Sequence, residues 1–322
     1  MKDYKYIIFF RTKLLFLPSY KIIPILIKAT PMSTKGILIP IGGNEDKGIE
    51  TSEIYHLEYI LDGILSRVVK ESGGKDALII IIPTASSIPK EVGENYLSAF
   101  DKLGCTNLHV MDIRTREESE DPVNIELIKK ANCIMFSGGN QSNITEKIGG
   151  TSIHKIMIDR YKTDPLVIAG TSAGAMCMSL EMITGGSSTE SFIKGAVGMG
   201  AGMNFIPELI IDSHFIKRGR FGRLAEAVGK YPKLIGIGLA EDTGLVIKDC
   251  EEVEVIGSGM VIVFNARKAK HNNRKNVPEG SPMSLTNLKT HILANGDRFN
   301  IRKKKIKISP LGYTVTDAES LK

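Results

Sequence analysis

Ser172 lies in the segment Pro165–Leu180, PLVIAGTSAGAMCMSL, where an apolar run ends in Gly170-Thr171-Ser172-Ala173-Gly174 and passes at once into helix-favouring residues. G-x-S-x-G between a strand and a helix describes a nucleophile elbow. The residues two before and two after the serine must be small, because the strand-to-helix turn is tight and leaves no room for side chains beside it. Such a turn raises the Ser172 hydroxyl above a sheet and opens an oxyanion hole at the Ala173 N–H. A Gly/Ser/Ala turn that only packs a helix closely on a strand has the same composition, but the flanking strand and helix that the motif requires are both present.

A serine hydroxyl is a weak nucleophile until a base accepts its proton. His214, in Asp212-Ser213-His214-Phe215, is the only histidine at the end of an expected strand after the elbow. His56, His109, His154, His271 and His291 fall in helix, strand or tail contexts and read as structural or solvated. The base in turn needs an acceptor on its other ring nitrogen. Glu241, in Leu239-Ala240-Glu241-Asp242-Thr243, is the candidate, with Asp242 and Asp212 competing on composition. The second oxyanion donor is expected from Phe136-Ser137-Gly138-Gly139-Asn140-Gln141, with Gly139 preferred to Gly138; the plainer reading is a strand-to-helix turn capped by Asn140. Arg218, Arg220 and Arg223 follow the histidine. Guanidinium groups grip carboxylates bidentately, so the cluster reads either as recognition of an acidic substrate or as a solvated basic face.

These residues need a scaffold that brings strand ends together. From Lys35 onward, expected strands over 36–43, 77–86, 107–113, 133–139, 166–172, 209–215 and 233–241 alternate with expected helices over 52–71, 89–103, 122–131, 141–148 and 218–229. The first helix carries Ile54, Leu57, Ile60, Leu61, Ile64 and Val68 at helical spacing behind Thr51-Ser52 as caps. Most strands are continuous apolar runs, the mark of burial on both faces. The pattern predicts an α/β fold with a doubly wound, mostly parallel sheet, whose ligands bind at the carboxyl ends of the strands. Beyond Glu241, segments 243–248, 252–256 and 259–264 predict a C-terminal antiparallel extension at one edge. A basic stretch, Arg267 to Asn276, then leads through Leu288–Ile292 and the Asn295-Gly296 turn to the exposed run Arg302–Lys305. No repeat or long linker interrupts residues 33–322, which are read as one domain after a leader, 1–32.

Of 322 residues, 42% are hydrophobic and 24% charged, the composition of a globular chain with a sizeable core. The net charge of +6 is concentrated at the start, where Lys2, Lys5, Arg11, Lys13, Lys21 and Lys28 stand against Asp3. A polyanion-binding body is therefore not supported, and no nucleic-acid partner is expected. The leader's apolar runs are broken by cations every few residues. It reads as a mis-assigned stretch before a true start at Met32 or a disordered extension, as a degenerate export signal, or as a basic membrane-surface helix, with no stable membrane insertion expected. Cys105, Cys133, Cys177 and Cys250 lie far apart and read as reduced, buried side chains, which suits the cytoplasm. The histidines form no ligand spacing, so no metal and no cofactor is expected. The expected assembly is a homodimer.

The set GGNED (42–46), PTAS (83–86), FSGGNQ (136–141), GTSAGA (170–175), DSHFxxRGRFGRL (212–224) and GIGLAEDTG (236–244) resembles cyanophycinase, a serine peptidase family related to peptidase E. The likeness runs from about Lys35 to the segment LKTHILANGDRF, 288–299. It implies a flavodoxin-like sheet of the class I glutamine-amidotransferase type with serine in place of cysteine. The implied activity is hydrolysis of cyanophycin, a poly-aspartate whose side chains carry arginine, to β-Asp-Arg dipeptides. On that resemblance Ser172, His214 and Glu241 match the triad, and Gln141, Asp212, Arg218, Arg220 and Arg223 match the residues that line the substrate pocket. The family usually has glutamine before the histidine, whereas this chain has Ser213. A peptidase E-like aspartyl dipeptidase and a catalytically silent protein that binds acidic peptides are the rival readings.

Overall fold

Five apolar runs build the parallel half of the main sheet: β1 (Ile37–Ile41), β2 (Ile79–Ile82), β3 (Leu108–Val110), β4 (Cys133–Phe136) and β5 (Val167–Thr171). They lie in the spatial order β1-β5-β4-β2-β3. The computed structural model describes residues 34–48, 58–187, 190–303 and 305–309. The leader, the start at Met32, and the Thr51-Ser52 caps lie outside the described residues.

Strand alternation explains why these runs are apolar throughout. On β2, Ile80 and Ile82 enter one apolar cluster while Ile79 and Ile81 enter another across the sheet. The second cluster is closed by α1 (Ile64–Glu71) and α2 (Pro89–Lys102), through Leu65, Val68, Tyr96 and Phe100. The first is closed by α3 (Pro122–Lys130), α4 (Gln141–Lys147) and α5 (Ser152–Thr163), through Ile128, Ile144, Ile153 and Met157. The expected helix over 52–71 begins only at Ile64 within the described residues. Ile60 and Leu61, which the helical spacing recruited to its apolar face, sit in a turn and are 58% and 72% exposed. Helix α5 was not expected.

After the elbow come a one-turn helix, α6 (Ala173–Met176), and the hairpin of β6 (Glu181–Gly185) with β7 (Gly198–Ala201). β8 (Leu209–Asp212), α7 (Phe221–Lys230) and β9 (Ile235–Leu239) then make a parallel β-α-β unit. The apolar pattern predicts one sheet running through these strands. Instead they belong to a second, four-stranded sheet. β10 (Thr243–Lys248) and β11 (Glu252–Gly257) extend the main sheet antiparallel from β1, as expected. β12 (Val261–Asn265) leaves that hairpin and pairs with β9. Beyond β13 (His271–Asn272) and β14 (Leu285–Thr286), β15 (Lys289–Leu293) completes the second sheet in the order β15-β12-β9-β8. β16 (Arg298–Asn300) and β17 (Ile306–Lys307) end the main sheet beyond β11.

The second sheet shares the core of the first. Leu209, Ile211, Ile235, Ile237 and Val263 enter the same apolar cluster as Leu38 and Ile80, whereas Ile210, Ile262 and Phe264 face α7. Two strand ends from the second sheet are thereby packed beside two from the first. No helix among the described residues is long and apolar enough to cross a membrane.

Candidate active site

The elbow has the geometry its spacing requires. Ser172, between β5 and α6, has φ 51° and ψ −107°, a backbone conformation that a side-chain-bearing residue holds only when its surroundings enforce it. A Cβ on Gly170 would fall 2.5 Å from the Gly174 carbonyl oxygen, so a glycine there is a condition of the turn. Ala173 is the first residue of α6, and an N–H at that position has no intrahelical acceptor.

Three consecutive carbonyls at the end of β1 gather the site. Ile41 O accepts the Ser172 N–H at 2.9 Å, Gly42 O accepts the His214 N–H at 2.7 Å, and Gly43 O accepts the Asp242 N–H at 2.9 Å. The turn after β1 thus ties β5 of the main sheet to β8 and β9 of the second. The residues it holds form a hydrogen-bonded series. Ser172 Oγ lies 3.0 Å from His214 Nε2, and His214 Nδ1 lies 2.7 Å from Glu241 Oε1. With Nδ1–H donated to the carboxylate, Nε2 is the nitrogen free to accept the serine proton. Lys217 Nζ donates to Glu241 Oε2 at 3.1 Å.

Burial and neighbouring charge favour the neutral imidazole. Burial pushes the His214 pKa below its ordinary value, and Arg218 and Arg220 push the same way, while Glu241 pulls against them. Burial alone would raise the Glu241 carboxyl, but hydrogen bonds from His214 and Lys217 outweigh it and hold the group below the usual range. Asp242, one of the rivals for the acid position, is turned elsewhere: its oxygens accept the Asp46 N–H at 3.2 Å and the Ser258 hydroxyl at 2.5 Å.

A cleft of about 440 Å3 opens over Ser172, lined by His214, Gly138, Gly139, Lys47, Tyr96 and Arg218 among others. A larger hollow of about 620 Å3 beside Tyr231 and Arg274 contains none of these residues. Glu45, in the GGNED segment, is a further polar residue at this site with no counterpart among the residues expected from sequence. Its carboxylate is buried and accepts hydrogen bonds from the Tyr96 and Thr171 hydroxyls. Lys47 Nζ pairs with it at 2.8 Å. Burial opposes its ionisation, yet Lys47 and the hydroxyls hold its pKa below the ordinary value. The signal available in sequence was the pairing of Glu45 and Lys47 two residues apart, directly after a strand end.

The residues expected to contact substrate are divided by the structure. Asp212 is completely buried and already occupied: Arg223 holds it through Nε at 2.9 Å and through Nη2, and Arg220 Nη1 reaches it at 3.2 Å. Arg223 is itself 4% exposed and donates its remaining nitrogen to Gly186 O at 3.1 Å. Arg220 also donates to Ser213 O at 2.8 Å. In this structure Asp212 and Arg223, expected as substrate contacts, close on each other instead of lining the cleft: a strand-end aspartate and an arginine on α7 satisfy one another. Arg218 does line the cleft, and among the described residues no carboxylate pairs with it. Gln141, at the start of α4, donates to Ile183 O at 2.8 Å and so braces β6. Ser213 is buried and turns its hydroxyl to Met176 Sδ at 3.3 Å, away from the cleft.

An elbow serine facing a histidine at the carboxyl edge of a largely parallel sheet is the arrangement of an α/β serine hydrolase. The chain belongs to peptidase family S51, which residues 51–255 match, and it is a serine-type peptidase. It is 38% identical over 263 residues to a cyanophycinase of Geminocystis herdmanii, across 82% of this chain and 93% of that one. It is 35% identical over 277 residues to a cyanophycinase of Trichormus variabilis, across 86% and 89% of the two chains. Among solved structures, a peptidase from an acI-B1 actinobacterium shares the fold, with a TM-score of 0.57 at 20% identity over 84% of this chain and 98% of that one.

Proposed function

We propose that the chain hydrolyses cyanophycin to β-Asp-Arg dipeptides, with Ser172 as nucleophile, His214 as general base and Glu241 as the acid that orients it. The observation that carries the mechanism is the hydrogen-bonded series Ser172–His214–Glu241 at the floor of an open cleft. Its substrate is supported by the relatives of 35–38% identity, which are cyanophycinases.

The chemistry follows from the geometry. Ser172 Oγ attacks the scissile carbonyl as His214 Nε2 takes its proton, and Glu241 stabilises the imidazolium that forms. The Ala173 N–H, at the start of α6, and the Gly139 N–H, on the cleft wall, are assigned to the developing oxyanion. His214 then protonates the leaving amine, and water cleaves the acyl-enzyme by the same route. Arg218 is the family-matched arginine that remains available to a substrate carboxylate. The working form is read as a cytoplasmic homodimer.

The test is to incubate the purified protein with insoluble cyanophycin and identify soluble products by mass. Release of β-Asp-Arg by the wild type and none by Ser172→Ala is the expected result. Release of aspartate only from short aspartyl peptides would move the assignment to a dipeptidase, and no turnover of either would leave an acidic-peptide binder.

A further inference from the structure

With Arg223 closed on Asp212 and Arg220 drawn to the same carboxylate, the cations that line the cleft among the described residues are Lys47 and Arg218. Lys47 is the one held in a built setting. Its Nζ pairs with Glu45 Oε1 at 2.8 Å, reaches Glu45 O at 3.4 Å, and stands 5.0 Å from the centre of the Tyr96 ring. Glu45 is in turn fixed by the Tyr96 and Thr171 hydroxyls, and Thr171 immediately precedes the elbow serine. The ammonium is therefore registered to the nucleophile through one buried carboxylate. An ammonium has three donors, and Glu45 does not use all of them. The Lys47 side chain is 25% exposed, and that exposure opens into the cleft shared with Ser172.

We propose that Lys47 is a specificity-determining residue that donates to a carboxylate of the peptide unit lying across Ser172. The inference rests on the reading above that the substrate is an acidic polymer. The plainer role for Lys47 is to neutralise Glu45, because a buried carboxylate without a counter-charge is costly. The two roles differ in what they read. A neutralising lysine acts alike on every substrate, whereas a carboxylate reader acts only where the substrate carries the carboxylate.

Lys47→Met alone would strand the Glu45 charge, so the test uses Glu45→Gln, in which no buried charge remains to be balanced, and adds Lys47→Met to it. The probes are a synthetic trimer of β-Asp-Arg with free arginyl carboxylates and the same trimer with those groups as carboxamides. Adding Lys47→Met to Glu45→Gln is expected to raise KM for the free acid about tenfold or more, with kcat and the carboxamide kinetics changed less than about twofold. Lys47→Arg is expected to keep part of the preference for the acid. Equal losses on acid and carboxamide, or a loss confined to kcat, would overturn the proposal.

If the wild type cleaves neither trimer, the cyanophycin reading fails separately, and Lys47 is judged by binding. Calorimetry of β-Asp-Arg and its diamide on Ser172→Ala should then show binding of the acid only, lost in the variant that also carries Glu45→Gln and Lys47→Met. Equal binding of the two ligands, or binding of neither, would reject the carboxylate contact.

Discussion

Gly43 lies directly against His214: a Cβ built on it would fall 2.4 Å from the imidazole Cε1 and 2.5 Å from Nε2. Gly43 also has φ +105°, which side-chain-bearing residues rarely adopt, and its carbonyl holds the Asp242 N–H. One glycine thus sets the ring's clearance and the position of the turn that carries Glu241. Gly43→Ala should lower kcat on the order of 100-fold or more, since a displacement of about 1 Å in a reacting group has that effect. The check is kcat beside the rate at which a fluorophosphonate labels Ser172. Both should fall together if the base has moved, and unchanged labelling would show that the ring tolerates the methyl group.

The hydrogen-bonded series predicts a division among the histidines. On the proposed mechanism, in which nucleophile and base act as a unit, Ser172→Ala and His214→Ala should each lose on the order of 10⁴ or more in kcat. His154 is engaged elsewhere, with Nε2 2.8 Å from Met203 O and Nδ1 accepting the Gly150 N–H at 2.8 Å. His154→Ala should weaken folding and leave kcat of the folded fraction within a few-fold of wild type. Comparable losses of kcat at both histidines would mean that the base has been misassigned.

The pH profile should follow the imidazole. On the proposed mechanism a neutral His214 is the competent base, so kcat/KM should be high above its pKa and fall as the pH drops through it. Burial, helped by Arg218, places that limb below the ordinary histidine value. Arg218→Ala removes a charge that disfavours the imidazolium and should move the limb to higher pH; Glu241→Gln removes one that favours it and should move the limb lower. The stability linkage has the same origin: His214 contributes stability above its unfolded pKa of about 6.5, and that contribution is lost as the pH falls through the lower folded value. A limb in the same place for wild type and Arg218→Ala would show that this charge does not reach the ring.

The parts of the site that were legible from sequence are those encoded locally. Ser172, His214 and Glu241 each follow a continuous apolar run, so their strand-end positions could be read without knowing which strands are neighbours. What could not be read is long-range pairing. Nothing in Leu209–Asp212 or Ile235–Leu239 distinguishes a place in the main sheet from the second sheet, where Ile235 pairs with Leu209 and with Asn265. Helix α5 was hidden because its buried face mixes Ile153 and Met157 with His154 and Tyr161, polar-tipped residues that blur the apolar period. Helix α1 was over-extended because Ile60 and Leu61 match that period but face solvent before Gly63. The arginine cluster looked uniform in sequence, and only the fold shows that Arg223 meets a buried aspartate while Arg218 meets the cleft.

That division yields the last prediction. Arg223 and Asp212 are buried against each other and share two hydrogen bonds, so Arg223→Ala would leave a carboxylate without its main partner in the interior. Breaking a buried pair from one side costs about 3–5 kcal/mol, and the loss should appear as a lower denaturation midpoint. Arg220 Nη1 still reaches Asp212 Oδ1, which places the Arg223→Ala loss toward the lower end of that range. Arg223→Lys should recover only part, because an ammonium cannot span both carboxylate oxygens. Arg218→Ala, at an exposed position lining the cleft, should change stability by about 0–1 kcal/mol and act on kcat/KM instead. Urea denaturation followed by circular dichroism, run beside kinetics for all three variants, separates the two roles. An Arg223→Ala protein as stable as wild type but weak in KM would restore Arg223 to the substrate side of the cleft.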